Sequence, residues 1–160
     1  MSQRLVARHH SPESYQALVD FSATVSKGGL EKSLLELVKI RASQINGCAF
    51  CLDMHSKDAR ALGETEQRLY ALNAWRETPF FNERERAALA WTEAVTFVTE
   101  GHVPEYVYSQ ARAQFSEEEL ANLTMAIVAI NAWNRLAISF RSVPGAYKSP
   151  HNKKAEGANS

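Results

Sequence analysis

The sequence carries no net charge, because eighteen Lys and Arg balance eighteen Asp and Glu. That balance removes the global field that would draw in nucleic acid, an anionic membrane or an acidic substrate, so no nucleic-acid partner is predicted. The N-terminus, "MSQRLVARHHSPESY", lacks an apolar run of signal-peptide length, and no uncharged stretch is long enough to span a bilayer. A cytoplasmic protein without a membrane partner is the expectation. Strand-like alternation of apolar and polar residues is missing, and so are internal repeats. Cysteine is scarce: residues 48 and 51 are the only two. A reducing compartment keeps such thiols reduced at rest, which makes a structural disulfide a poor account of their proximity.

What is present fits one globular domain. The chain has 160 residues, 45% hydrophobic and 22% charged, enough to bury a core without disulfide or metal staples. Residues 1–145 read as that single domain. Residues 146–160, "AYKSPHNKKAEGANS", read as a polar C-terminal tail without periodicity, mobile or draped over a surface.

Turn chemistry divides the domain into helix after helix. Ser11 and Pro12 open a first helix that ends before Gly28 and Gly29. Leu30, Leu34, Leu37, Val38 and Ile45 form the apolar stripe of a second, stopped by Asn46 and Gly47. A third runs from the cysteines to Gly63, and a fourth, "ETEQRLYALNAW", runs to the break at Thr78 and Pro79. Asn82 with Glu85, Pro104, and Ser116 with Glu119 open three more, the last with the pattern of a capping box. The fold class is therefore all-α, a helical bundle of about seven helices. In the last helix Leu120, Leu123, Met125, Ile127, Val128, Ile130, Trp133, Leu136, Ile138 and Phe140 are not confined to one stripe. A helix apolar on several sides must be covered on several sides. In a domain this small, one face on its own subunit and another on a neighbour predict a homo-oligomer.

The chemistry concentrates in "INGCAFCLDMH", residues 45–55. Asn46 and Gly47 end one helix, which puts Cys48 at the start of the next, where unpaired backbone N–H groups and the helix dipole favour a thiolate. On that helix Cys48 and Cys51 are an i,i+3 pair and Cys51 and His55 an i,i+4 pair, so all three share a face. Such a setting lowers a thiol pKa and supplies a base beside it. A dithiol at this spacing can attack an oxidant and then close a disulfide. Two other readings stay open on the residues alone. Zinc has suitable ligand types here but no fourth ligand in a recognisable pattern. Buried structural thiols are common in general. Glu36 lies at the border of its helix's apolar stripe, where by itself it reads as an exposed carboxylate, although it could reach across to hold His55. Arg41 falls inside the same stripe and calls for an acidic partner or a snorkelling pose. His9, His10, His102 and His151 fall in predicted loops or termini and read as solvated.

The stretch "ELVKIRASQINGCAFCLDMHSKDARALG", followed by "ERERAALAWTEAVT" and "NAWNRLAISF", resembles the alkylhydroperoxidase D-like branch of the carboxymuconolactone decarboxylase family over roughly residues 15 to 141. The selective element is Glu36, eleven residues, Cys48-x-x-Cys51, three residues, His55. The resemblance implies an all-helical subunit assembled into trimers or hexamers. It implies a cofactor-free thiol peroxidase, an antioxidant oxidoreductase of peroxiredoxin type. Its CxxC pair would reduce an organic hydroperoxide while passing through a redox-active disulfide. It also implies roles: Cys51 the peroxidatic thiol, His55 its proton acceptor, Glu36 the group orienting His55, Cys48 the resolving thiol, and a dithiol reductant such as a lipoyl-bearing protein as partner. The helix dipole would equally permit Cys48 to attack. The best-known members have a histidine immediately before the second cysteine, where this chain has Phe50. That substitution predicts weaker peroxidase activity or a bulkier, more hydrophobic peroxide. The CxxC disfavours muconolactone decarboxylation. A different class of function, a redox-responsive oligomeric binding or stress-sensing protein without efficient turnover, would use the same thiols. Asn131, Trp133, Asn134 and Arg135 read as structural residues at an interface.

Overall fold

The computed structural model describes residues 2–151, and among them the chain is all-helical with no strand. Eight α-helices follow in order: α1 (Ala7–His10), α2 (Pro12–Val25), α3 (Lys32–Asn46), α4 (Ala49–Ala61), α5 (Glu66–Ala71), α6 (Glu83–Thr96), α7 (Glu105–Gln114) and α8 (Glu117–Phe140). A 3-10 helix, Leu72–Glu77, follows α5.

The count exceeds the seven helices read from caps and stops for a local reason. A single turn, α1, forms just ahead of Pro12 and carries no buried residue, so no apolar periodicity announces it. It places His9 and His10 on a helix rather than in a loop, still exposed. The segment read as one helix to Trp75 is two pieces, because the backbone leaves helical geometry at Ala74 (φ −115°, ψ 31°). The predicted starts at Asn82 and Ser116 are complete capping boxes, each side chain accepting from the N3 backbone while the N3 glutamate returns the bond.

α3 is the central element. It packs against α4, α6 and α8, and Leu34, Leu35, Glu36, Leu37, Val38, Ile40, Ala42 and Ser43 are all buried. This is wider than the single stripe inferred from sequence, and it takes Glu36 inside. Arg41 finds its acidic partner in Glu93, with Nε donating to Oε1 over 2.8 Å.

α8 is long and apolar enough, by length and composition, to cross a membrane. Here one face of it joins the core through Leu120, Leu123, Ala126, Ile127, Ile130 and Ala137. The other side leaves Met125, Val128 and Ile138 about half exposed (50%, 47% and 46%). In the single chain α8 therefore has a free apolar face instead of being enclosed by the other helices.

The first part of the C-terminal tail lies along α4. The Gly145 N–H donates to Asp53 Oδ2 (3.0 Å), Lys57 Nζ donates to the Gly145 and Tyr147 carbonyls, and Ser149 is buried. Residues 152–160 of the predicted tail lie outside the described residues.

Candidate active site

The turn between α3 and α4 builds the site. Gly47 adopts φ +69°, a conformation glycine takes without the Cβ penalty. The Cys48 N–H then returns to the Ser43 carbonyl (3.0 Å) and the Gly47 N–H to Gln44 (3.3 Å), the paired bonds of a Schellman motif. The chain is thereby reversed so that Cys48 is the N-cap of α4, and its sulfur accepts the Cys51 backbone N–H at 3.4 Å.

Both sulfurs are buried (1% exposed each) and unbonded to each other. With Ala42, Ile130 and Ala137 they form a small apolar cluster between α3, α4 and α8, against which Phe50 and Trp133 pack. Hydrogen bonding between the two side chains divides their acidities. The bond from the Cys51 side chain, helped by the Cys51 N–H, outweighs burial and holds the Cys48 thiol down at about 7. The same bond, reinforced by burial and by the Cys48 charge, pushes the Cys51 thiol up. Cys48 is thus the more acidic thiol of the two. Asn134 lowers both thiols, and Ser43 lowers Cys51 without offsetting its rise.

Asn134 is one of the four residues of its segment read from the sequence as structural. It is fully buried; its Nδ2 donates to Ser43 Oγ (3.0 Å) and its Oδ1 accepts from Asn46 Nδ2 (2.9 Å). Its signal in the sequence is an asparagine four residues after Ile130 and three before Ala137 on the apolar face of α8, where only a specific polar partner justifies burial.

Glu36 and His55 are brought together one layer away. His55 Nδ1 lies 2.8 Å from Glu36 Oε2, and Lys39 Nζ donates to Glu36 Oε1 over 2.7 Å. Burial alone would raise the Glu36 carboxyl. The hydrogen bond and charge of His55, with Lys39, outweigh it and hold Glu36 below its ordinary value. Glu36 is therefore a carboxylate accepting the Nδ1 proton, and Nε2 is left to exchange protons. Among the described residues no hydrogen bond joins His55 to either sulfur, so the four predicted residues form two couples and not one chain.

Two residues outside the predicted set complete the polar side. Asp58 is buried, and the Tyr147 hydroxyl donates to both of its carboxylate oxygens at 2.9 and 3.0 Å. Burial, this hydrogen bond and the nearby charges of Asp58 and Glu36 raise the Tyr147 hydroxyl, which stays a donor. Glu36, His55 and Asp58 each bring one atom of metal-ligand type within 4.8 Å of the others. Those atoms already have partners, and a cation there would displace the Lys39 ammonium and the Tyr147 hydroxyl. The donor set fits a hydrogen-bonded relay better than a metal centre.

Two cavities reach the site. One, of about 300 Å³, has Cys51 in its wall, and another, of about 330 Å³, has His55 and Lys39.

The carboxymuconolactone decarboxylase family model matches residues 12–94. YdfG of Bacillus subtilis, an uncharacterised protein, is 42% identical over 139 residues, 87% of this chain and 95% of its own length. YnjA of Escherichia coli, also uncharacterised, is 32% identical over 98 residues, 61% of this chain and 53% of its own. A solved Agrobacterium tumefaciens protein of unknown function, provisionally assigned as the antioxidant defence protein AhpD, superposes with a TM-score of 0.88. It is 43% identical and covers 91% of this chain and 100% of its own. The debrominase Bmp8, at 21% identity, TM-score 0.77 and coverage of 86% and 74%, shares the fold.

Proposed function

The chain belongs to the carboxymuconolactone decarboxylase family, in its alkylhydroperoxidase D-like branch, and from that premise we propose that it is a thiol peroxidase reducing organic hydroperoxides through Cys48 and Cys51. The observation that carries the reading is two free cysteines on the first turn of α4, Cys48 as its N-cap with its sulfur accepting the Cys51 N–H, and Cys51 in a cavity wall. A low-pKa thiolate beside a second thiol is the arrangement that an oxidise-and-resolve cycle needs.

Access and charge divide the roles. Cys51 meets the peroxide and passes its proton to Cys48 as it attacks, giving a Cys51 sulfenic acid. Cys48 then attacks that sulfur, water leaves, and a disulfide forms. A dithiol reductant, of the lipoyl type, regenerates the pair by attacking Cys51. Cys48 leaves readily because a thiol of low pKa is the better leaving group. Glu36 and His55 serve as the proton relay, with His55 and then Lys39 keeping Glu36 ionised. A reducing compartment, the cytoplasm, suits a dithiol that must be recycled.

The half-exposed apolar face of α8 at Met125, Val128 and Ile138 supports assembly into a homo-oligomer. Light scattering checks this: a mass above one chain is the expected result, and a single species of monomer mass contradicts it.

Steady-state kinetics with cumene hydroperoxide and dihydrolipoamide test the enzyme reading. Many turnovers per chain support it. One oxidation followed by arrest would assign the protein to redox sensing instead.

A further inference from the structure

The cavity that holds Cys51 has walls of unequal strength. α4 and α8 supply Phe50, Cys51, Met54, Leu136, Ala137 and Phe140. α2 closes one side with Tyr15, whose ring packs edge-on against Trp133 at 5.2 Å, while the Trp133 indole N–H donates to Ser22 Oγ at 2.8 Å. The chain ahead of α1 closes another, with Gln3, Leu5 and Val6 in the wall. Cys51 is buried beneath it, yet none of residues 2–10 is buried.

One residue fastens this arm. The Arg4 N–H donates to the Phe140 carbonyl at 3.0 Å, and Arg4 Nη1 donates to the Ser139 carbonyl at 3.1 Å. The last carbonyls of a helix lack intrahelical partners and carry the negative end of its dipole, so a cation is favoured there. The turn after α8 spends its own N–H groups on earlier carbonyls, Arg141 on Ile138 and Ser142 on Ala137, which leaves Ser139 and Phe140 to Arg4. Among the described residues, residues 2–5 are hydrogen-bonded to the rest of the fold through Arg4 alone. Arg4 is exposed, so water competes for both bonds. A segment with exposed hydrogen bonds and no buried side chain opens locally at far lower cost than the core. α1 does not share this freedom, because the Ser11 N–H ties the Ala7 carbonyl to the start of α2. Between the two lies Val6, extended at φ −107° and ψ 104°.

We propose that residues 2–6 form a lid over the Cys51 cavity, latched by Arg4 on the C-terminal carbonyls of α8 and swinging at Val6. Closed, the lid encloses the thiol in a space of about 300 Å³. Open, it admits a reagent to Cys51 while the Tyr15, Trp133 and Ser22 contacts keep the opposite wall in place. The lid goes beyond the peroxidase reading and does not rest on it: any molecule that reaches Cys51 from this side passes the same segment, whatever chemistry follows.

The test reads Cys51 alone, in a Cys48→Ser background, as the second-order rate constant for N-ethylmaleimide with the folded full chain. The folded chain reacts at least about tenfold more slowly than the urea-unfolded chain at the same pH, since reaction waits on local opening. Arg4→Ala removes the guanidinium from the α8 carbonyls and speeds modification about two- to fivefold, the population change that one charge–dipole contact supports. Leu5→Ser, at a half-buried position of the lid, speeds it in the same direction. Arg112→Ala removes a comparable contact elsewhere, Nη1 to the Phe115 carbonyl after α7 at 2.8 Å, and leaves the rate unchanged. The same ranking holds for total thiols with Cys48 present. In amide exchange the Arg4 N–H exchanges faster than the Ser142 N–H, which caps the same helix end without crossing the cavity. Unchanged rates in both lid variants, or equal acceleration by Arg112→Ala, overturn the lid. So does a folded-chain rate equal to that of the unfolded chain, which would mean that the cavity stands open. No peroxide enters this assay, so a failed lid leaves the peroxidase reading intact, and thiols inert to peroxide leave the lid standing.

Discussion

Glu36 and His55, nineteen residues apart on α3 and α4, meet at 2.8 Å in a buried hydrogen bond, and Lys39 holds the other oxygen of the same carboxylate. The pair fixes which imidazole nitrogen is occupied and which is free to move protons.

His55→Ala removes that free nitrogen. The expected result is a loss of about 10² to 10⁴ in the rate of thiol oxidation by an organic hydroperoxide, the usual range for a positioned acid–base group. Glu36→Gln keeps the shape and costs less, because it acts through His55. Rapid-mixing measurement of thiol loss checks both, and wild-type rates in Glu36→Gln would leave the carboxylate a packing element.

The opposite shifts of Cys48 and Cys51 predict a one-thiolate titration. Cys48 ionises with a midpoint of about 7, whereas Cys51, raised by the Cys48 charge, stays protonated across the ordinary range. A thiol depressed in the fold contributes stability that is present above its unfolded value of 9.0 and lost as pH falls through about 7. Thiolate absorbance against pH, in wild type and Cys48→Ser, should show the transition disappear in the variant. Two thiolates titrating together near pH 9 would contradict the coupling.

Asn134→Ala leaves Ser43 and Asn46 without their partner in a closed interior. It should cost about 1–3 kcal/mol, the penalty of stranding buried polar groups, and raise the Cys48 midpoint, since Asn134 helps stabilise the charge on sulfur. Denaturant unfolding and the thiolate titration read the two effects separately.

Much of this was written in local sequence and some was not. The Asn82 and Ser116 caps, the Gly47 stop and the position of Cys48 at a helix start depend on residues within a few positions of one another, and they formed as the residue types dictate. Glu36 is different: its helix is surrounded by α4, α6 and α8, so a position at the border of one apolar stripe lies inside the wall of the next helix. Asn134 and Tyr147 meet their partners across 91 and 89 residues, a separation that periodicity cannot address. The kink at Ala74 follows Asn73, but a lone asparagine inside a helical pattern does not mark a break.

Tyr147→Phe tests the contact of the tail with α4. It removes the donor from a buried Asp58, and a loss of about 1–3 kcal/mol follows from an acceptor left unpaired. A denaturation midpoint equal to wild type would mean that water or the tail backbone replaces the hydroxyl. A lowered midpoint that Asp58→Asn does not lower further would establish that the two residues act as one.

The central claim is that Cys48 and Cys51 are a working dithiol, and one experiment meets it directly. Fully reduced protein is mixed with one equivalent of cumene hydroperoxide, and free thiols and intact mass are followed in time. The account predicts rapid loss of both thiols together with a decrease in mass of two hydrogens. Retention of both thiols at unchanged mass would contradict it.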